Sequence, residues 1–201
     1  MSIKAVVFDL GNVLVDVVHA RAAAALQASC TEGSQRFHDA ISSSAVLHRF
    51  ETGELDRRRF FAELSAEAGV SVGFDAFCDA FCDIFTPVPE MIQAHATLRR
   101  RAVPTYLFSN TSELHFEHLL RTCDFLADFD AHFLSYELRC MKPDARIYEL
   151  LEKKTGLRGP EIFYIDDRLE NVEAGACRDW QVIHHGSPDE TIARLSELRL
   201  L

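Results

Sequence analysis

Three short apolar runs in this chain each stop at residues that can do chemistry. Residues 3–8 end at Asp9, residues 103–108 end at Ser109-Asn110, and residues 162–165 end at Asp166-Asp167, with Lys142-Pro143 between the last two. A carboxylate at the end of a buried strand is a costly placement unless hydrogen bonds, a partner charge or a metal compensate it. In an open parallel sheet, ligands sit in the crevice outside the carboxyl ends of the strands. If these runs are strands of one such sheet, Asp9, Ser109, Asn110, Asp166 and Asp167 converge there, with Lys142 as the available cation.

The rest of the chain supplies the elements that must position these tips. Residues 16–86 read as several helices with no strand-like run, and form a candidate insertion. Helices are predicted over 19–28, 44–50 and 56–68, the last with Asp56 as N-cap and Gly69 as its end. Phe74, Phe77, Phe81 and Phe85 recur at intervals of three and four, the stripe that a small helical unit needs for a core. Thr86-Pro87-Val88-Pro89 marks the return to the main body. From there helices over 90–101, 113–121, 145–154, 171–178 and 189–198 alternate with strands over 103–108, 131–134, 162–165 and 181–184. Such alternation, with nearly continuous apolar strands, predicts an α/β fold whose mostly parallel sheet is covered on both faces.

With 201 residues, 48% of them hydrophobic, the chain can build one domain with a modest insertion. A formal net charge of −10 argues against a general nucleic-acid or anionic-membrane binder, which would need a basic stripe. The basic triplets Arg57-Arg58-Arg59 and Arg99-Arg100-Arg101 read as solvated helix faces. No window approaches a membrane span and the first residues do not resemble a signal peptide, so the expected location is cytoplasmic. Cys30, Cys78, Cys82, Cys123, Cys140 and Cys177 lack a tight C-x-x-C spacing and fit reduced thiols.

Asp9-Leu10-Gly11-Asn12-Val13-Leu14, Ser109-Asn110-Thr111, Lys142-Pro143 and Asp166-Asp167 with Asn171 resemble, in order and spacing, the four motifs of the haloacid dehalogenase superfamily. The resemblance spans nearly the whole chain and looks closest to bacterial phosphatases acting on glucose 1-phosphate. It implies a Rossmann-like three-layer core built from 1–15 and 87–201, with 16–86 as an inserted helical cap. It further implies a magnesium-dependent phosphatase acting on a small phosphorylated metabolite, a sugar phosphate or sugar 1-phosphate. On this pattern Asp9 attacks phosphorus and becomes an aspartyl phosphate that water hydrolyses. Asp9, the Gly11 carbonyl and Asp167 hold Mg²⁺, while Asp166 and Asn171 organise the metal loop. Lys142 neutralises the phosphate and the intermediate, and Ser109 and Asn110 donate to phosphate oxygens.

One position departs from the pattern. Most phosphatases of this superfamily carry a second aspartate two residues after the nucleophile, to protonate the leaving group and activate water, and here that residue is Gly11. Such help is typically worth about 10²- to 10⁴-fold in rate. The departure leaves three readings: a phosphatase restricted to esters whose leaving group departs readily, a hydrolytic 2-haloacid dehalogenase, or a catalytically weak or inactive binding module. Asp16, His19 and Arg21 follow the first motif closely enough to face the site, Arg21 as a candidate substrate contact. His115 with His118, and His184 with His185, lack a third ligand at metal spacing.

Overall fold

The computed structural model describes residues 3–26, 45–69 and 71–201. Ala5–Phe8 forms β1 from four fully buried residues. The chain leaves it through Asp9 and a turn in which Asn12 takes φ 53°, a left-handed conformation that asparagine tolerates. β2 (Val15–Val17) then pairs antiparallel with β3 (Phe85–Pro87). Between these two short strands lie α1 (His19–Leu26), α2 (Ala45–Glu51), α3 (Arg57–Ala68) and α4 (Phe74–Cys82). The strand pair is a departure from the helices-only reading of 16–86. Three residues per strand are too few for alternation to show, and Pro87, which offers no N–H, reads as punctuation.

The helices follow their sequence signals closely. The Asp56 side chain accepts the N–H groups of Arg58 and Arg59 at 2.9 and 2.8 Å, and Gly69 closes α3 at φ 65°. Residues 27, 28, 30 and 44, which the helix and cysteine expectations include, lie outside the described residues. Of the phenylalanine stripe, Phe77 and Phe81 are core, whereas Phe74 and Phe85 are half-buried. Phe50 stacks on Phe60 with ring centroids 4.1 Å apart, and Phe81 lies 5.1 Å from Phe60 and 5.6 Å from Phe77.

After β3 come α5 (Pro89–Arg100), β4 (Thr105–Ser109), α6 (Glu113–Thr122), β5 (Ala131–Leu134), the single turn α7 (Ser135–Leu138) and α8 (Ala145–Thr155). β6 (Ile162–Asp166), α9 (Leu169–Ala176), β7 (Gln181–His184) and α10 (Pro188–Glu197) complete the chain. The five long-range strands form one parallel sheet in the order β5-β4-β1-β6-β7. β4 begins at Thr105 rather than at 103 because Pro104 can only accept, taking the N–H of Val6 at 3.0 Å. Alternate residues of each strand serve opposite faces. Val6, Phe8, Leu107 and Phe163 pack with α5, α6 and α10, whereas Val7, Phe108, Ile162 and Tyr164 pack with α8 and Trp180. This is an α/β fold of the Rossmann-like type, with three layers. Among the described residues no helix is long and apolar enough to cross a membrane.

Two contacts tie the helical segment to the sheet-bearing body. Arg57 reaches Glu113 and Glu117 on α6 at 2.8 and 2.7 Å, so this residue of the first basic triplet is a bridge and not only a solvated charge. His115, also on α6, meets the Phe81 carbonyl through Nε2 at 3.1 Å and stacks on the Phe81 ring at 4.2 Å. It is a core histidine. Burial depresses its pKa to about 3.

The unfolded chain therefore takes up a proton near the ordinary histidine pKa that the folded chain refuses. Stability from this group is complete above about pH 6.5 and is lost as pH falls toward 3, by up to about 1.4 kcal/mol per pH unit. His115→Phe should flatten the fall in urea midpoint between pH 7 and pH 4.5. His95, pushed to about 4 by burial, should leave a residual slope. An unchanged pH dependence in the variant would assign the acid sensitivity elsewhere.

Candidate active site

The carboxyl ends of β1, β4 and β6 meet at a cavity of about 220 Å³. Asp9, Ser109, Asn110, Lys142, Asp167 and Asn171 line one side of it. Val17, Leu47, Glu51, Phe81, Ile84 and Phe85 face them from β2, from the helices and from the approach to β3. Asp9, Ser109, Lys142, Asp166 and Asn171 are all buried. The predicted convergence of the strand tips is therefore present in the fold.

Lys142 is the hub. Its ammonium donates to the Phe108 carbonyl at 2.8 Å, to Asp9 Oδ1 at 3.0 Å and to Asp166 Oδ2 at 2.6 Å, which uses all three of its protons. Its approach is fixed by Asn110, whose side chain accepts the Lys142 N–H at 2.8 Å and donates to the Lys142 carbonyl at 2.9 Å. Asn110 thus clamps the lysine loop to the end of β4, with its own N–H left as the group that can serve a ligand.

Asp166 is fully engaged within the protein. Besides Lys142 it accepts the Tyr164 hydroxyl, the Arg168 N–H at 2.9 Å and the Asn171 amide at 3.0 and 3.2 Å. Tyr164 reaches it because residues two apart on a strand share a face. Asp167, half-buried, turns the other way, and its Oδ2 accepts the Asn12 side-chain amide at 3.0 Å. The side-chain oxygens of Asp9, Asp166 and Asp167 lie within 4.8 Å of one another.

The charges in this cluster do not balance. Burial would raise Asp166, but the Lys142 ammonium and the hydrogen bonds from Lys142 and Tyr164 hold it below the usual carboxylate range. Burial pushes Asp9 well above that range, against the pull of Lys142 and with the Asp166 charge adding to the rise. One buried cation serves two buried carboxylates, and Asp9 carries the deficit. A hard divalent cation suits an oxygen-only set of this kind. Asp9 and Asp167 are its natural donors, because Asp166 is already engaged.

Arg21 does not join this cluster. α1 buries Ala22, Ala23 and Leu26, which leaves Arg21 exposed and outside the cavity wall, while His19 from the same helix lines it. Gly11 sits at the cavity, and a Cβ added there would come 3.2 Å from Val17 Cγ2. Asn12, Tyr164 and Glu51 join the site, beside Arg168 and the apolar facing wall, without having been candidate site residues from sequence. Asn12 lies inside the first motif, Tyr164 was signalled by its place two residues before Asp166, and Glu51 reaches the cavity only through the docking of α2.

A family model described as haloacid dehalogenase-like hydrolase matches residues 3–177. Sesquiterpene phosphatase astK of Aspergillus oryzae is 26% identical over 203 aligned positions, 98% of this chain and 96% of that protein. Among solved structures, the HAD family enzyme bt-2542 of Bacteroides thetaiotaomicron, in complex with magnesium and inorganic phosphate, superposes with TM-score 0.80 at 21% identity. That match covers 90% of this chain and 93% of that one. L-2-haloacid dehalogenase of Xanthobacter autotrophicus superposes with TM-score 0.66 at 21% identity, covering 97% of this chain and 83% of that one.

Proposed function

Because the chain belongs to the haloacid dehalogenase-like hydrolase family, we propose that it is a magnesium-dependent phosphatase, which passes the phosphoryl group of a small phosphorylated metabolite to Asp9 and then to water. The observation that carries this reading is the Lys142 ammonium held between Asp9 and Asp166, with Asp167 beside them and positive charge still lacking. Asp9 and Asp167, with the Gly11 carbonyl, are the residues that would hold Mg²⁺. Bound there, the ion supplies the charge that lets an anionic nucleophile meet an anionic ester.

The chain's own residues do the rest. Asp9 Oδ1 is pinned by the Leu10 N–H at 2.7 Å and by Lys142, which aims the carboxylate into the cavity. Lys142, the Ser109 hydroxyl and the Asn110 N–H hold the charge spread over the transferred phosphoryl group. Asp166 and Asn171 fix the loop that presents Asp167. The curated phosphatase relative and the phosphate complex of the bacterial neighbour support phosphorus, rather than carbon, as the centre attacked. Free thiols at all five described cysteines suit the cytoplasm.

With no carboxyl on the Asp9 loop, Gly11 taken by itself favours esters with a good leaving group, such as a sugar 1-phosphate. A second reading of the substrate rests on Val17, Leu47, Phe81, Ile84 and Phe85 in the facing wall: an alcohol phosphate with an apolar carbon skeleton. Sugar 1-phosphates, sugar 6-phosphates and phosphates of long-chain alcohols, each assayed with Mg²⁺ and with chelator, separate these readings. Phosphate release that needs Mg²⁺ is the expected result, and the preferred ester names the class. Halide release from 2-haloacids that persists in chelator would replace the proposal with the dehalogenase reading. Phosphate-analogue binding without any turnover would replace it with a binding module.

A further inference from the structure

Gly11 leaves the cavity without a carboxyl two residues after Asp9, and the fold brings one to it from the opposite wall. Glu51 is the last residue of α2 and lines the same cavity as Asp9, Lys142 and Asp167. Nearby acids of the helical segment are tied up, Glu54 and Glu63 both pairing with Arg49 at 3.6 and 2.7 Å. No hydrogen bond or ion pair with a described residue ties the Glu51 carboxyl. We propose that Glu51 is the general acid–base of this active site, taking from the facing wall the role that the family pattern gives to a second aspartate on the Asp9 loop. The proposal deepens the phosphatase reading and rests on it.

In the first half-reaction the Asp9 carboxylate forms a bond to phosphorus as the bond from phosphorus to the substrate oxygen breaks. The Glu51 proton passes to that departing oxygen, giving the free alcohol. In the second, water bonds to phosphorus as the Asp9–phosphorus bond breaks, and the proton lost by water returns to Glu51. Ester and water become alcohol and phosphate, and both carboxyls are restored. The environment suits a group that must both give and take a proton. Burial pushes the Glu51 carboxyl up to about 7, with the Arg168 guanidinium pulling the other way, so acid and base forms are both populated near neutrality. Asp9, Asp167, Lys142, His19 and His115 are the other titratable groups on the cavity wall.

The test is first-turnover kinetics of Glu51→Gln with two esters in Mg²⁺, an alkyl phosphate and p-nitrophenyl phosphate, whose leaving group departs without a proton. Release of the alkyl alcohol is expected to slow about 10²- to 10⁴-fold. The first release of p-nitrophenolate is expected to keep the parent rate and to appear as a burst, because hydrolysis of the aspartyl phosphate then lacks its base. The burst also shows that the variant is folded and its nucleophile intact. Equal slowing of the two esters, no slowing of either, or a change in KM alone, with the parent active, would overturn the role of Glu51 and leave the phosphatase reading standing. A parent that releases no phosphate from either ester, or an Asp9→Asn variant that still does, would sink both.

Discussion

Asp9→Asn is expected to abolish phosphate release, with kcat falling on the order of 10⁶-fold, the scale on which the loss of an enzyme's nucleophile acts. Asparagine keeps the shape of the site. Its carbonyl can still accept the Leu10 N–H and the Lys142 ammonium that now hold Asp9 Oδ1 at 2.7 and 3.0 Å. What disappears is the negative oxygen that the proposed mechanism joins to phosphorus, so the loss should fall on kcat more than on ligand binding.

The same change is expected to stabilise the chelator-treated protein. Burial raises the Asp9 pKa in the folded state above its unfolded value. The stability tied to this group is therefore whole below about pH 4 and is lost as pH rises through the folded pKa. Asparagine removes that loss. At pH 7 in chelator the variant should gain about 1–2 kcal/mol, or roughly 2–8 °C in Tm, whereas added Mg²⁺ should raise the Tm of the parent more than that of the variant. A variant that is less stable than the parent in chelator would mean that Asp9 is not the residue left short of positive charge.

How much of this was legible beforehand depends on whether the signal was local. Asp9, Ser109 and Asp166-Asp167 announced themselves because a polar residue ending an apolar run is visible in sequence, and the parallel sheet follows from the alternation of elements. Lys142 was legible only through its order among the motifs. Nothing local says that its ammonium spans Asp9 and Asp166, or that Asn110 clamps its loop. The β2–β3 pair was hidden because strands of three residues leave no period to read. Arg21 and Glu51 show a second limit. The spacing of Ala22, Ala23 and Leu26 could have told that Arg21 lies off the buried face of α1. It could not have told that α2 docks with its last residue over the strand ends. Periodicity gives the face a helix buries, but not where the helix sits.

Lys142→Met is the most damaging single change expected in this fold, because it removes the cation and leaves both of its carboxylates in place. Met fills a comparable volume, so packing against the rings of Phe108 and Tyr164, 5.1 and 5.8 Å from the ammonium, largely survives. The Phe108 carbonyl and two buried carboxylates lose a donor, a loss of about 3–5 kcal/mol at neutral pH in addition to the loss of turnover. The pH dependence separates this mechanism from a simple packing defect. In the parent, Asp166 is held below its unfolded pKa, so its contribution is present above about pH 4 and is lost only as pH falls through the lowered folded value. Without Lys142, burial of Asp9 is opposed only by the Leu10 N–H and that of Asp166 only by its bonds from Tyr164, Arg168 and Asn171, so both carboxyls titrate higher than in the parent and the variant loses stability relative to it as pH rises from about 4 toward 7. Urea midpoints in chelator should therefore show the gap between parent and variant widest at pH 7 and narrowing by pH 4.5. A gap of equal size at both pH values would place the damage in packing, and would remove the charge balance around Lys142 as the organising feature of this site.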